Sequence, residues 1–146
     1  MRGRARPPDG ERAAADRLHS AAIHLLRRVR RTDPLTGASA AQLSALSVLM
    51  AGPRTLGELA AAEQVRAPTM SRLVGGLERG GLARRRPDPH DARVVRVEMT
   101  RRGQRVLAKG RDLRIADIER RIHRLGPDEA ATLDDAVRII EGMLRE

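Results

Sequence analysis

No phenylalanine, tyrosine or tryptophan occurs in the 146 residues. The interior must be assembled from Leu, Ile, Val, Ala and Met, which carry less apolar area per residue than aromatic rings. Such a core is thin for a chain of this length, so burial against a second subunit is expected to supplement it. Cysteine is absent as well, which excludes disulfides, thiolate metal sites and thiol redox switches. No apolar run approaches the roughly 20 residues that span a bilayer. The stretch from Met1 to Arg12 is basic and polar, and no apolar signal segment follows it. The expectation is a soluble, cytoplasmic protein without membrane association.

Lysine is nearly absent, with one residue against 28 arginines. A GC-rich coding sequence explains that preference, and with it much of the formal charge of +10. It does not explain where the charge lies. Residues 66–105 hold a net +7, residues 1–65 hold +4, and residues 106–146 hold −1. Excess positive charge concentrated in the middle of a chain marks a polyanion-binding surface.

The pattern of apolar residues predicts mainly α structure with one small β-hairpin. Residues 1–10 are Pro- and Gly-rich and basic, as in a flexible arm. A helix is expected from Glu11 to Arg31, with Leu18, Ala21, Ala22, Leu25, Leu26 and Val29 in one stripe. Asp33 and Pro34 should end it. A second helix runs from Ser39, the N-cap, to Met50, with Gln42 in capping-box spacing. Thr55 and Glu58 repeat that spacing at the head of a short helix ending near Gln64. The next helix starts at Pro68 and carries Met70, Leu73, Val74 and Leu77 on its inner side. Gly80 and Gly81 should close it in a left-handed cap. Strands follow at Leu82–Arg86 and Arg93–Met99, with turn-forming residues from Pro87 to Ala92 between them. Val95, Val97 and Met99 should share the packed face. Thr100 caps a long helix carrying Val106, Leu107, Leu113, Ile118 and Ile122. Gly126 and Pro127 interrupt it before a last helix with Leu133, Val137, Ile140 and Leu144.

Three features coincide between residues 55 and 99. Two short capped helices are joined by a brief turn, Glu63 to Ala67, which is helix-turn-helix spacing. The second of them has an outer face of Thr69, Ser71, Arg72, Gly75 and Gly76. Small residues there let the backbone approach a major groove, while the hydroxyls and guanidinium offer partners to bases and phosphates. A hairpin rimmed by Arg84, Arg85, Arg86, Arg93 and Arg96 follows, able to lie along a DNA backbone and insert an arginine into the minor groove. Each feature alone is more often an ordinary solvated surface. Their ordered succession within the basic window carries the reading.

The runs Leu56-Gly57-Glu58-Leu59-Ala60, Pro68-Thr69-Met70-Ser71-Arg72-Leu73-Val74 and Leu77 to Arg85 resemble the MarR family of bacterial transcriptional regulators. So do Asp88 to Arg93 and the Thr100-Arg101-Arg102-Gly103 that follows. The resemblance is strongest over residues 39 to 107, and its wing signature, Asp91 with Arg93 ahead of Thr-x-x-Gly, is the most specific part. It implies a winged helix-turn-helix over residues 35–103, flanked by dimerisation helices at 11–34 and 104–146. It also implies a homodimeric, ligand-responsive repressor on a pseudo-palindromic duplex DNA operator. Arg66, Ala67, Pro68, Thr69, Ser71 and Arg72 would line the major groove. Arg84 and Arg86 would follow the backbone, and Arg93 would enter the minor groove, held by an ion pair to Asp91. A small-molecule inducer, anionic or apolar, would sit near the dimer helices, with His24 and Arg17 as candidate contacts. Aromatic ligand contacts, frequent in the family, are impossible here.

Other chemistry finds little support. His19, His24, His90 and His123 share no i,i+4 spacing, so no metal site is expected. No cofactor motif, phosphate loop or nucleophile motif is present, and the chain does not read as an enzyme. Two alternatives stay open. One is an architectural DNA binder of the same fold, using Arg2, Arg4 and Arg6; the other is a partner-binding adaptor.

Overall fold

The computed structural model describes residues 8–145. Helix α1 spans Pro8–Val29, so it starts three residues before the expected Glu11. Proline is tolerated in a helix's first turn, where its missing N–H would have no partner anyway. Residues 8–10 therefore belong to the helix, and the rest of the expected arm, with Arg2, Arg4 and Arg6, lies outside the described residues. Helix α1 ends at Val29, ahead of Asp33 and Pro34. They sit within a 3-10 segment, Arg30–Thr36, which ends at Gly37 with φ of 80°. Thr32 and Thr36 brace it, their hydroxyls donating to the carbonyls of Val29 (2.9 Å) and Asp33 (2.6 Å).

Helix α2 is Ala40–Leu49, and α3 is Leu56–Ala62. Both predicted capping boxes are present: Gln42 N–H donates to the Ser39 hydroxyl at 3.2 Å, and Glu58 N–H to Thr55 Oγ1 at 3.2 Å. Helix α4 is Ala67–Arg79, one residue earlier than expected. Of the two glycines after it, Gly80 stays right-handed, and Gly81, at φ of 66°, takes the left-handed position. The Leu82 N–H then reaches back to Leu77 O at 2.8 Å, and Gly81 N–H to Glu78 O at 2.9 Å, closing a Schellman cap.

The hairpin belongs to a larger sheet than the sequence indicated. Strands β2 (Ala83–Pro87) and β3 (Val95–Met99) pair antiparallel, and the short β1 (Arg54–Thr55) pairs with the other edge of β3. The order is β1-β3-β2. Arg93 and Val94 fall outside β3 because they close the turn: Val94 N–H bonds Asp91 O, and Asp88 N–H bonds Val94 O. Val95 was expected to pack with Val97 and Met99 but is 46% exposed. It pairs with Pro87 at the far end of the hairpin, where the ladder projects past the core.

One core forms beneath these elements. Leu43 and Leu46 of α2, Leu59 of α3, Met70, Val74 and Leu77 of α4, and Val97 of β3 are fully buried in it. Helix α5, Arg101–Ile122, starts at the predicted N-cap Thr100. Thr100 Oγ1 accepts from Gly103 N–H at 3.0 Å and donates to Gly81 O at 2.7 Å, while Thr100 N–H donates to Leu82 O. A Cβ on Gly103 would lie 2.1 Å from Leu82 O. This explains the Thr-x-x-Gly spacing: the first turn of α5 packs on the backbone of Leu82, just ahead of β2, so closely that only glycine fits.

Helix α6, Pro127–Met143, buries no residue of its own. Leu144 caps it instead of lying within it and is 80% exposed. Of the stripe predicted on α1, only Val29 is buried. The 3-10 segment is held to α5 by Asp33, whose Oδ1 accepts from Arg114 Nε at 2.8 Å inside the protein. Among the described residues no helix is long and apolar enough to cross a membrane.

Candidate nucleic-acid interface

Helix α4 has two sides of opposite character. Met70, Val74 and Leu77 are buried, which leaves Arg66, Ala67, Pro68, Thr69, Ser71 and Arg72 exposed as a continuous surface. The turn from α3 sets this presentation. Gln64 takes φ of 54°, and the amides of Gln64 and Val65 return to the carbonyls of Ala61 and Ala60. The chain then leaves in extended form through Arg66, the N-cap of α4. The N-cap side chain makes no capping bond. Pro68 has no N–H and the amides of Thr69 and Met70 already donate to Arg66 O, so the Ala67 amide is the one in the first turn of α4 left for an outside acceptor such as a phosphate. Glu78, at the other end of α4, accepts from the Arg85 backbone N–H at 3.1 Å and pairs with its guanidinium, tying α4 to β2.

The hairpin arginines divide into two kinds. Arg84 and Arg86 are exposed on β2 and share Glu98 of β3, Arg86 Nε at 2.9 Å from Oε1. Arg84 foremost holds the Glu98 carboxyl below the usual range. Arg93 stands on the turn with its side chain 91% exposed, its Nε 3.1 Å and its Nη2 3.2 Å from the two oxygens of Asp91. The expected Asp91–Arg93 pair is thus formed, and it depresses the Asp91 pKa. Exposed pairs of this kind contribute little to stability.

Arg96 is different. Its guanidinium donates to Asp88 Oδ2 and lies 3.5 Å from Glu58 Oε2 on α3. Asp88 Oδ1 in turn accepts from the amides of His90 (2.8 Å) and Asp91 (3.2 Å). With the Arg96 hydrogen bond as the main cause and the His90 amide next, the Asp88 pKa falls to about 2. The sequence showed Arg96 as one more arginine of the rim. Its inward role follows from strand β1, whose two residues carry no periodicity: Thr55 registers against Arg96 and brings Glu58 beside it.

The candidate ligand residues His24 and Arg17 are exposed on α1. They line neither of two hollows nearby. One, of about 590 Å³, lies between α1 and α6 and is walled by Leu18, His19, Ala22, Ile139, Ile140 and Met143. The other, also about 590 Å³, lies among α2, β3 and α5, with Met50, Met99 and Leu107 beside Arg111 and Arg114. Among the described residues no cluster of three potential metal ligands occurs.

A helical core, a helix-turn-helix whose second helix is buried on one side only, and an antiparallel sheet extended by a basic hairpin define a winged helix-turn-helix protein. Residues 34–94 match the model of the MarR family. An HTH-type transcriptional regulator of Mycobacterium leprae is 32% identical over 139 residues, covering 94% of this chain and 97% of its own. The transcriptional regulator Tm0710 of Thermotoga maritima superposes with a TM-score of 0.79 at 27% identity, covering 92% of this chain and 95% of the other. Staphylococcus aureus MepR, in a mutant form bound to an oligodeoxyribonucleotide, shares the fold with a TM-score of 0.69 at 19% identity, covering 90% and 97%. The chain belongs to the MarR family and is an HTH-type transcriptional regulator.

Proposed function

We propose that two copies of the chain bind one pseudo-palindromic operator and repress transcription by occupying promoter DNA. The observation that carries this reading is the exposed Thr69-Ser71-Arg72 face of α4, set beside a wing whose Arg93 is almost wholly exposed. In this reading α4 enters the major groove. Thr69, Ser71 and Arg72 face bases, Arg66 and Ala67 bring open backbone amides to phosphate, and Pro68 packs its ring against the sugar-phosphate backbone. Arg84 and Arg86 follow the sugar-phosphate backbone, and Arg93, aimed by Asp91, enters the minor groove. The structural neighbour captured with an oligodeoxyribonucleotide supports the use of this fold on DNA.

The dimer is supported by the bare apolar side chains of α1 and α6, among them Leu25 at 51%, Ile139 at 65% and Met143 at 60% exposure. Residues 11–34 and 104–146 would then form the dimerisation region, and 35–103 the DNA-binding part. The two recognition helices would meet successive major grooves about 34 Å apart. An inducer acts in this scheme only by preferring a different spacing of those helices. The hollow among α2, β3 and α5 pairs apolar walls with Arg111 and with Arg114, the partner of Asp33, which suits a small anion with an apolar body; His24 and Arg17 lie outside its lining and would serve only an inducer bound elsewhere along α1.

Selection of genomic fragments on the purified protein tests the reading. A recovered site should bind about 10³-fold or more above random duplex at one salt concentration. Arg93→Ala should weaken binding and lower the salt slope by about one. Equal affinity for site and random duplex would favour the architectural role, and binding to no duplex would favour the adaptor.

A further inference from the structure

We propose that Arg96 is a positioning residue, which fixes the wing against α3 and so aims Arg93 without touching DNA itself. The inference rests on the DNA-binding reading above. A continuous chain of contacts carries it. Glu58, at the third position of α3, accepts from Thr55 N–H at 2.7 Å and stands 3.5 Å from Arg96 Nη1. Arg96 donates to Asp88 Oδ2, and Asp88 Oδ1 holds the His90 and Asp91 amides that form the wing tip. Asp91 finally fixes Arg93 through its backbone N–H at 3.0 Å and its guanidinium. The chain starts on the helix-turn-helix and ends on the exposed arginine. It spans the two elements that must meet DNA at a fixed separation.

Burial together with its partners separates Arg96 from the other rim arginines. Its side chain is 34% exposed, against 54% for Arg84, 57% for Arg86 and 91% for Arg93; Arg85 is equally covered at 34%, but it pairs with Glu78 of α4 and makes no contact with the wing turn. The Asp88 side chain is 9% exposed. An arginine that is turned in on two carboxylates offers little to phosphate. It also offsets two negative charges that would otherwise face a polyanion.

Charge and positioning predict opposite signs for one substitution, which makes the test sharp. Asp88→Asn keeps an oxygen for the two tip amides but loses the carboxylate that Arg96 holds. If charge alone mattered, removing a negative group beside DNA would tighten binding. If Arg96 aims the wing through Asp88, the variant binds more weakly. The measurement uses the full-length protein and a duplex that the wild type has selected from random sequence, with affinity titrated against salt. Arg96→Gln and Asp88→Asn should each weaken binding about ten-fold, the scale of coupling within one hydrogen-bonded network. The double variant should be little worse than either single one. In the bound complex of Arg96→Gln, Arg93 still reaches its phosphates and the cost lies in ordering a loosened wing, so the salt slope should stay at the wild-type value, whereas loss of a phosphate contact would lower it by about one unit.

Since the chain has no cysteine, His90→Cys accepts a single fluorophore at the wing tip. Its anisotropy should fall on Arg96→Gln at temperatures well below the melting transition. Tighter binding by Asp88→Asn, additive single effects, or a reduced slope for Arg96→Gln would each overturn the proposal. So would a lowered melting temperature with unchanged affinity. Failure of the wild type to select any duplex would instead overturn the DNA-binding reading itself, and this inference with it.

Discussion

Helices α4 and α6 bracket the range of helix environments in this protein. Helix α4 buries Met70, Val74 and Leu77 completely, and its outer side is polar. Helix α6 is also amphipathic, yet it buries nothing, and Leu133, Val137, Ile139 and Met143 stay exposed. Helix α1 resembles α6: its stripe of leucines is half bare. An amphipathic stripe therefore has two meanings in one chain. Within residues 38–107 it is satisfied by neighbours in the same core. In the terminal helices it is left open, and under the proposed function a second copy covers it. The lack of aromatic rings sharpens this contrast, because no large side chain closes the gap between α1 and α6 from within.

The comparison is broken most strongly by placing charge on the open side. Ile139→Glu combined with Leu25→Glu should convert dimers to monomers in sedimentation experiments. Operator affinity should then fall by about 10² to 10⁴, the advantage that linking two half-site contacts confers. Helical circular dichroism should fall only slightly, since neither residue supports the buried core. A double variant that still sediments as a dimer and binds normally would show that the open stripes are not the interface.

A smaller effect comes from the joint between the two regions. Gly103→Ala places a methyl group 2.1 Å from Leu82 O and 2.8 Å from Met99 Cγ. The carbonyl is backbone, and it also accepts the Thr100 amide, so it has no room to yield. A loss of about 4 kcal/mol of stability is expected, in the range reserved for severe packing conflicts. Urea unfolding measures it. Gly142→Ala serves as the control, since a Cβ there meets nothing within 4 Å. A cost for Gly103→Ala no larger than that of Gly142→Ala would mean that α5 can slide away from Leu82.

How far the sequence could be read follows from the same physics. Ser39 with Gln42, Thr55 with Glu58, and Thr100 with Gly103 are local signals, because a cap and its amide lie three residues apart. Each was legible. The 3.6-residue period located the inner face of α4 for the same reason. What escaped was set by contacts between distant residues. The pairing of Arg54 and Thr55 with β3 involves two residues, too few for any period. The exposure of Val95 depends on how far the hairpin overhangs the core, which alternation cannot report. The roles of Asp88 and Arg96 needed Glu58 to arrive from 38 positions away. Of the candidate site, the surface of α4 and the Asp91–Arg93 pair could be read in advance, while the support behind them could not.

The smallest expected effect concerns that support and depends on pH. Asp88 ionises near 2 in the folded protein, against an ordinary value of 3.8, chiefly because Arg96 donates to it and secondly because the His90 amide does. A group whose folded pKa is depressed adds stability above its unfolded pKa and loses it as pH falls through the folded value. The contribution is therefore complete above about pH 4 and fades between 4 and 2. No comparable loss belongs to α4, whose inner face holds no carboxylate. Carboxyl-carbon chemical shifts should place the Asp88 midpoint near 2, with the tip amides of His90 and Asp91 shifting in the same range. Arg96→Gln removes the leading cause, so its midpoint should move up toward 3.8 while the His90 amide keeps it from arriving fully. A wild-type midpoint at the ordinary value would show that Arg96 does not hold Asp88 in solution. The wing would then stand on its own turn alone.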